Sequence, residues 1–149
     1  MPSLPVQRQP KGNGLTPRTL ARQRPTVVIA AIVEREGLIL LTQRLPRSHL
    51  AGYWEFPGGK LEPGENHRLC LEREMLEELD APVQVGPLVH STRFAYPDRT
   101  VELYFYDCTL TGEPAPLLGQ QIRWVARTEL EGLQVPPADN EVVQLLANS

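Results

Sequence analysis

Three glutamates, Glu74, Glu77 and Glu78, stand three and four residues apart in a stretch free of proline and glycine from Glu65 to Ala81. On a helix these steps return to one face, so the three carboxylates lie together. Leu71, Met75, Leu76 and Leu79 fall on the other side and are expected to face a core. Like charges at this spacing destabilise a helix by roughly 0.2–0.5 kcal/mol per pair. A solvated acidic face is the commoner explanation of such a run, but the neighbouring residues favour a cation. Glu65 arrives from a loop just before the helix, and Arg73 sits among the carboxylates. Upstream, Gly58 and Gly59 allow close backbone approach to a ligand. Hard divalent cations prefer oxygen donors, and Mg²⁺ is usually held by a few carboxylates together with substrate phosphates.

The segment resembles the signature box of the Nudix hydrolases. That box runs Gly, five residues, Glu, seven residues, Arg-Glu, an apolar residue, any residue, Glu-Glu, any residue, Gly and an apolar residue. Gly59, Glu65, Arg73, Glu74, Met75, Glu77 and Glu78 all fall in register. With common residues at roughly one in fifteen each, the six fixed matches arise by chance in about one such chain per 10⁵. One position departs, because Asp80 stands where the box has its second glycine. Glycine there ends a helix in the left-handed conformation. Asp tolerates that conformation better than most residues, so the turn is expected to survive with some strain.

The likeness extends over roughly residues 27–146 and is nearest to the MutT type. Thr42-Gln43-Arg44, His49-Leu50-Ala51, the run Glu55 to Lys60, Tyr96-Pro97-Asp98-Arg99 and Pro136-Pro137-Ala138-Asp139 match that type in order. The resemblance implies hydrolysis of oxidised guanine nucleoside triphosphates to monophosphate and pyrophosphate. It implies Mg²⁺, with Mn²⁺ as a substitute, on Glu74, Glu77, Glu78 and the Gly58 carbonyl. Arg73 would orient the glutamates, and Glu74, or alternatively Glu65, would take the proton from water. Substrate contacts fall on Arg44, His49, Glu55, Phe56, Pro57, Gly58, Arg99 and Asp139. Several of these have plainer readings: Arg44 as a surface arginine at a strand end, Phe56 as core, Arg99 as part of a turn. Asp139 is expected to cap the last helix, to read the base, or both. MutT-like chains often carry one more acid before the last strand, where Leu118 stands here. A (d)CTP or modified pyrimidine triphosphate is the alternative substrate, and a nucleotide-binding module without turnover is the alternative class.

With 149 residues, the chain is expected to form one folded domain, residues 26–149, preceded by a tail. Residues 1–26 carry Arg8, Lys11, Arg18, Arg22 and Arg24 and no acid. The whole chain is −3, so the remainder is net −8. Five prolines and no apolar run make residues 1–25 an expected disordered basic tail. No run approaches the roughly 18 apolar residues that span a membrane, and no secretory signal is expected. Cys70 and Cys108 form no spaced pair, consistent with reduced thiols in a cytoplasmic protein. No stable nucleic-acid partner is expected, and the chain is expected to be a monomer or homodimer.

The pattern predicts strands over 26–33, 38–42, 100–110 and 122–126, with one or two more in 82–96. Helices are expected over about 66–79 and 141–146. Residues 100–110 alternate as a half-exposed strand should. Strands before, between and after two helices predict an α/β fold, a mixed sheet sandwiched by helices. The Nudix resemblance implies the same fold.

Overall fold

The computed structural model describes residues 24–149, so the expected disordered tail lies almost wholly outside the described residues. The sheet is built around β1 (Thr26–Arg35), whose near-continuous apolar run is buried on both faces. β1 runs parallel to β6 (Arg99–Leu110), in register from Thr26 opposite Val101 to Val33 opposite Cys108. β6 in turn pairs antiparallel with the edge strand β5 (Val83–Tyr96). On its other side β1 meets two partners in succession. Val28–Ala30 pair with β4 (Gly58–Lys60), and Glu34 and Arg35 pair with β2 (Leu38–Gln43). β2 carries β3 (Trp54–Glu55) and β7 (Ile122–Ala126). Gly58 and Gly59, upstream of the carboxylate helix, thus lie in a short strand.

Among the described residues, one helix covers each face. α1 (His67–Leu79) packs Cys70, Leu71, Met75 and Leu79 on Ile29, Ala31, Val33, Leu40, Cys108 and Leu110. α2 (Asn140–Ala147) packs Val142, Val143 and Leu146 on the opposite core of Ala30, Ile32, Ile39, Leu41 and Phe105. This is the expected sandwich. Among the described residues, no helix is long and apolar enough to cross a membrane.

Two expectations are corrected. Leu76 is half exposed, and buried Cys70 takes its place in the packing of α1. β6 is covered on both faces: Val101, Leu103 and Phe105 face the α2 core, while Tyr104, Tyr106, Cys108 and Leu110 pack on the α1 side. Of the one or two strands expected in 82–96 the structure has one, β5, broken in register near Gly86 and Pro87 by a bulge.

Candidate active site

α1 is fixed at both ends, and that fixes its carboxylates. At its start, Asn66 Oδ1 accepts the Leu69 N–H at 2.8 Å, a cap of about 1 kcal/mol. At its end, Asp80 takes the left-handed conformation in place of glycine, with φ 53° and ψ 38°. The Asp80 and Ala81 N–H groups then close on Leu76 and Met75 carbonyls. The loop before β7 finishes the work. Ala115 N–H donates to Leu79, while Leu117 N–H and the buried Gln120 side chain both donate to the Glu78 carbonyl.

Arg73 organises the acids around it. Its guanidinium makes a bidentate pair with Glu65, at 2.6 and 3.0 Å. It also donates to Glu74 at 3.0 Å, Glu77 at 3.1 Å and the Lys60 carbonyl at 3.1 Å. Glu65 accepts a further bond from the Glu62 N–H at 2.9 Å. Bonds from Arg73 first, then from Glu62, hold the Glu65 carboxyl down at about 2. A carboxylate so acidic, with its lone pairs spent on Arg73 and Glu62, is a poor proton acceptor. In this arrangement Glu65 steadies Arg73.

Glu74 is buried and Glu78 half-buried, side by side. Burial first, then the hydrogen bond and charge of Glu74 and the charge of Glu55, push the Glu78 carboxyl well above the usual range, opposed by a bond from the Gly58 backbone. Carboxyl groups crowded until one must keep its proton are a setting that a hard dication relieves. The donors therefore fit a divalent metal. Glu77 is exposed and bonded to Arg73. Among the described residues, no three acidic, histidine or cysteine side chains converge on one point. The helix places all three glutamates on one face as expected, and Arg73 Nη1 bridges Glu74 and Glu77.

The two glycines are required by contact. A Cβ on Gly58 would fall on the Ile29 carbonyl oxygen, and one on Gly59 would collide with the Glu74 carboxylate. Gly59→Ala is accordingly expected to displace Glu74 and to lower turnover about a hundredfold, since a displacement of about 1 Å is enough for that. Its melting temperature should move little, because the displaced atoms end a flexible side chain. Parallel thermal melts and rate measurements check this.

Beside α1 lies a cavity of about 270 Å³. Its wall includes Val28, Phe56, Val101, Leu103 and Pro136, with Arg44, His49, Glu55, Gly58, Glu78, Tyr96, Arg99 and Asp139 as polar or backbone elements. Arg44 donates to Glu55 at 2.8 Å and to the His49 carbonyl at 2.5 Å, so it braces the loop between β2 and β3. Burial raises the Glu55 carboxyl, and Arg44 partly offsets this. Asp139 is 4% exposed, and its side chain makes no cap bond to α2. The capping expectation therefore fails, because a 3₁₀ turn over Pro137–Asp139 leads into the helix instead. Burial, then the charge of Glu55, lifts the Asp139 carboxyl to about 8, against the opposing pull of Arg44. Phe56 is both core and wall, edge-on to Phe105 at 5.5 Å. Pro57 is buried with its carbonyl bonded to the Ala31 N–H, and it is not part of the wall.

A family model of the NUDIX domain matches residues 28–145. The chain belongs to the Nudix family. It is 37% identical over 123 residues to the 8-oxo-dGTP diphosphatase of Haemophilus influenzae, covering 81% of this chain and 90% of that one. Over a shorter stretch of 77 residues it is 48% identical to the CTP pyrophosphohydrolase of Escherichia coli, covering 52% of this chain and 57% of that one. Among solved structures, the E. coli ORF135 protein superposes with a TM-score of 0.75 at 35% identity, covering 83% of this chain and 89% of that one.

This Nudix hydrolase thus gathers in one region Arg44, His49, Glu55, Phe56, Gly58, Glu78, Arg99 and Asp139, with Glu74 beneath Gly59. Sequence reasoning passed over Gln120 and the Tyr96 hydroxyl. Gln120 carried one signal, a long polar side chain just before a short strand, but its burial depends on where α1 ends. Leu118 is half exposed and lines a second cavity, of about 140 Å³, with Glu55, Glu78 and Gln120.

Proposed function

We propose that this Nudix hydrolase cleaves nucleoside triphosphates to the monophosphate and pyrophosphate, with oxidised guanine nucleotides such as 8-oxo-dGTP as its preferred substrates, and that it does so in the cytoplasm. One observation carries the reading: a single cavity is lined both by the buried Asp139 and by Glu78. A base recognised by Asp139 would leave its phosphates toward the carboxylate helix. A neutral carboxyl donates one hydrogen bond and accepts another, which suits the O6 and N7–H of an 8-oxoguanine. Mg²⁺, or Mn²⁺ in its place, would be held by Glu74, Glu77, Glu78 and the Gly58 carbonyl. When bound it would neutralise part of the roughly four negative charges of a triphosphate. Glu74 takes the proton of the attacking water, and the bond broken is the bridge between the first and second phosphates. Arg73, braced by Glu65, holds Glu74 in place. Arg44 and Arg99 supply positive charge along the cavity.

The second reading keeps this chemistry and changes the base to cytosine. The 48% identity to a CTP pyrophosphohydrolase favours it, although that match covers only half of the chain. The neutral Asp139 serves it as well, since cytosine N3 and N4–H also present one acceptor and one donor.

Product analysis with Mg²⁺ decides between them. At one low concentration of 8-oxo-dGTP, dGTP, dCTP or ADP-ribose, 8-oxo-dGTP should be consumed first, releasing pyrophosphate. Faster consumption of dCTP would install the second reading. Orthophosphate as first product would overturn the bond assignment. No turnover at all would leave a nucleotide-binding module.

A further inference from the structure

Tyr96 is the last residue of β5, directly opposite Arg99 across the Pro97–Asp98 turn. Directly opposed residues of an antiparallel pair project from the same face, and both of these line the cavity. Tyr96 joins three segments there. Its hydroxyl oxygen accepts the Ala138 N–H at 3.2 Å, one residue before Asp139. Its ring stands edge-on to His49, with centroids 5.2 Å apart, and packs on Phe94 at 4.8 Å. A tyrosine hydroxyl has one proton to donate as well as lone pairs to offer. Among the described residues, only its acceptor capacity is used. Across the turn, the buried Arg99 Nε–H has no partner either. The Tyr96 O–H, unspent on the wall of this cavity, calls for an acceptor on the ligand.

We infer that Tyr96 is a specificity-determining residue: its O–H donates to an oxo or ring acceptor of the bound base, while its oxygen holds the Ala138–Asp139 turn in place. This rests on the cavity being the base site of the proposed function. The ligand class it favours is a base edge rich in oxo groups, such as an oxidised purine, over one presenting mainly amino groups.

Tyr96→Phe keeps the ring and removes only the hydroxyl. Binding of 8-oxo-dGMP, dGMP and dCMP is measured by calorimetry in the absence of metal, for both proteins. KM and kcat are measured with the matching triphosphates. The variant should bind the monophosphate that the parent prefers about tenfold more weakly, with the loss appearing in KM and kcat little changed. The other two should lose clearly less. Unchanged affinity would overturn the inference. So would an equal loss for all three with a lowered melting temperature, which marks a loosened turn and nothing more. A parent preferring dCMP would sink the oxidised-guanine reading while leaving Tyr96 to be judged on dCMP. A parent binding none of them would remove both.

Discussion

Glu74→Gln is expected to reduce turnover on the order of a thousandfold while leaving the fold intact. The side chain is buried against Gly59 and receives a bond from Arg73 at 3.0 Å, so a residue of the same shape fits the same space. What the amide cannot do is accept the proton of the attacking water, an assistance that general bases typically supply at 10²–10⁴-fold, as approximate values. Glu65→Gln is the informative comparison. Glu65 is already committed to Arg73 and to the Glu62 N–H, with its carboxyl held at about 2, so it contributes orientation. Losing one charge-assisted pair should lower the rate only about tenfold. Rates for the two variants under saturating Mg²⁺, with near-ultraviolet circular dichroism as the fold control, test the assignment. If Glu65→Gln were the more damaging of the two, the roles of Glu65 and Glu74 would have to be exchanged.

Asp139→Asn should alter pH dependence and stability together. The groups around Asp139 are Glu55, which raises its carboxyl, Arg44, which lowers it, and the nearby Tyr96 hydroxyl. With its carboxyl lifted to about 8, Asp139 is protonated in the folded protein at neutral pH and can donate to the base. Above that value it ionises and only accepts. The kcat/KM for an oxidised guanine nucleotide should then fall about tenfold per unit above pH 8. Asn donates and accepts at any pH, so the variant should lose this alkaline fall. The stability sign follows from the same shift. A carboxyl whose folded value lies above its unfolded one stabilises fully below the unfolded value, near 4, and loses that contribution as pH rises toward about 8. Over the three units from pH 4 to pH 7 this amounts to at most roughly 4 kcal/mol. Asp139→Asn should therefore melt several degrees higher than the parent at pH 7 and at nearly the same temperature at pH 4. Equal melting temperatures at pH 7 would mean that Asp139 is ionised in the folded state.

The box was legible because its determinants are local. The spacing of Glu74, Glu77 and Glu78 places them on one helix face whatever the rest of the chain does. Asp80 could be expected to turn left-handed from its own side chain, and it does. The apolar run of β1 announced a strand buried on both faces. Leu76 was misread because the helical period defines a stripe, and the width of sheet available to cover it is a tertiary quantity. The same limit applied to β6, where alternation suggested one wet face although α1 covers that side.

By itself, then, the sequence determined the helix that carries the carboxylates, the apolar strands beneath it and the residue types around the site. These follow from period, propensity and spacing, which act over a few residues. Only the tertiary structure decided which of those residues share an environment. It set the Glu74 and Glu77 carboxylates on one nitrogen of Arg73, spent Glu65 on the same guanidinium, and buried Asp139 near Glu55, which raises its carboxyl. It also set the Tyr96 hydroxyl against Ala138, 42 residues away along the chain. Burial and charge act through space, and neither can be read from the order of residues until the chain has folded.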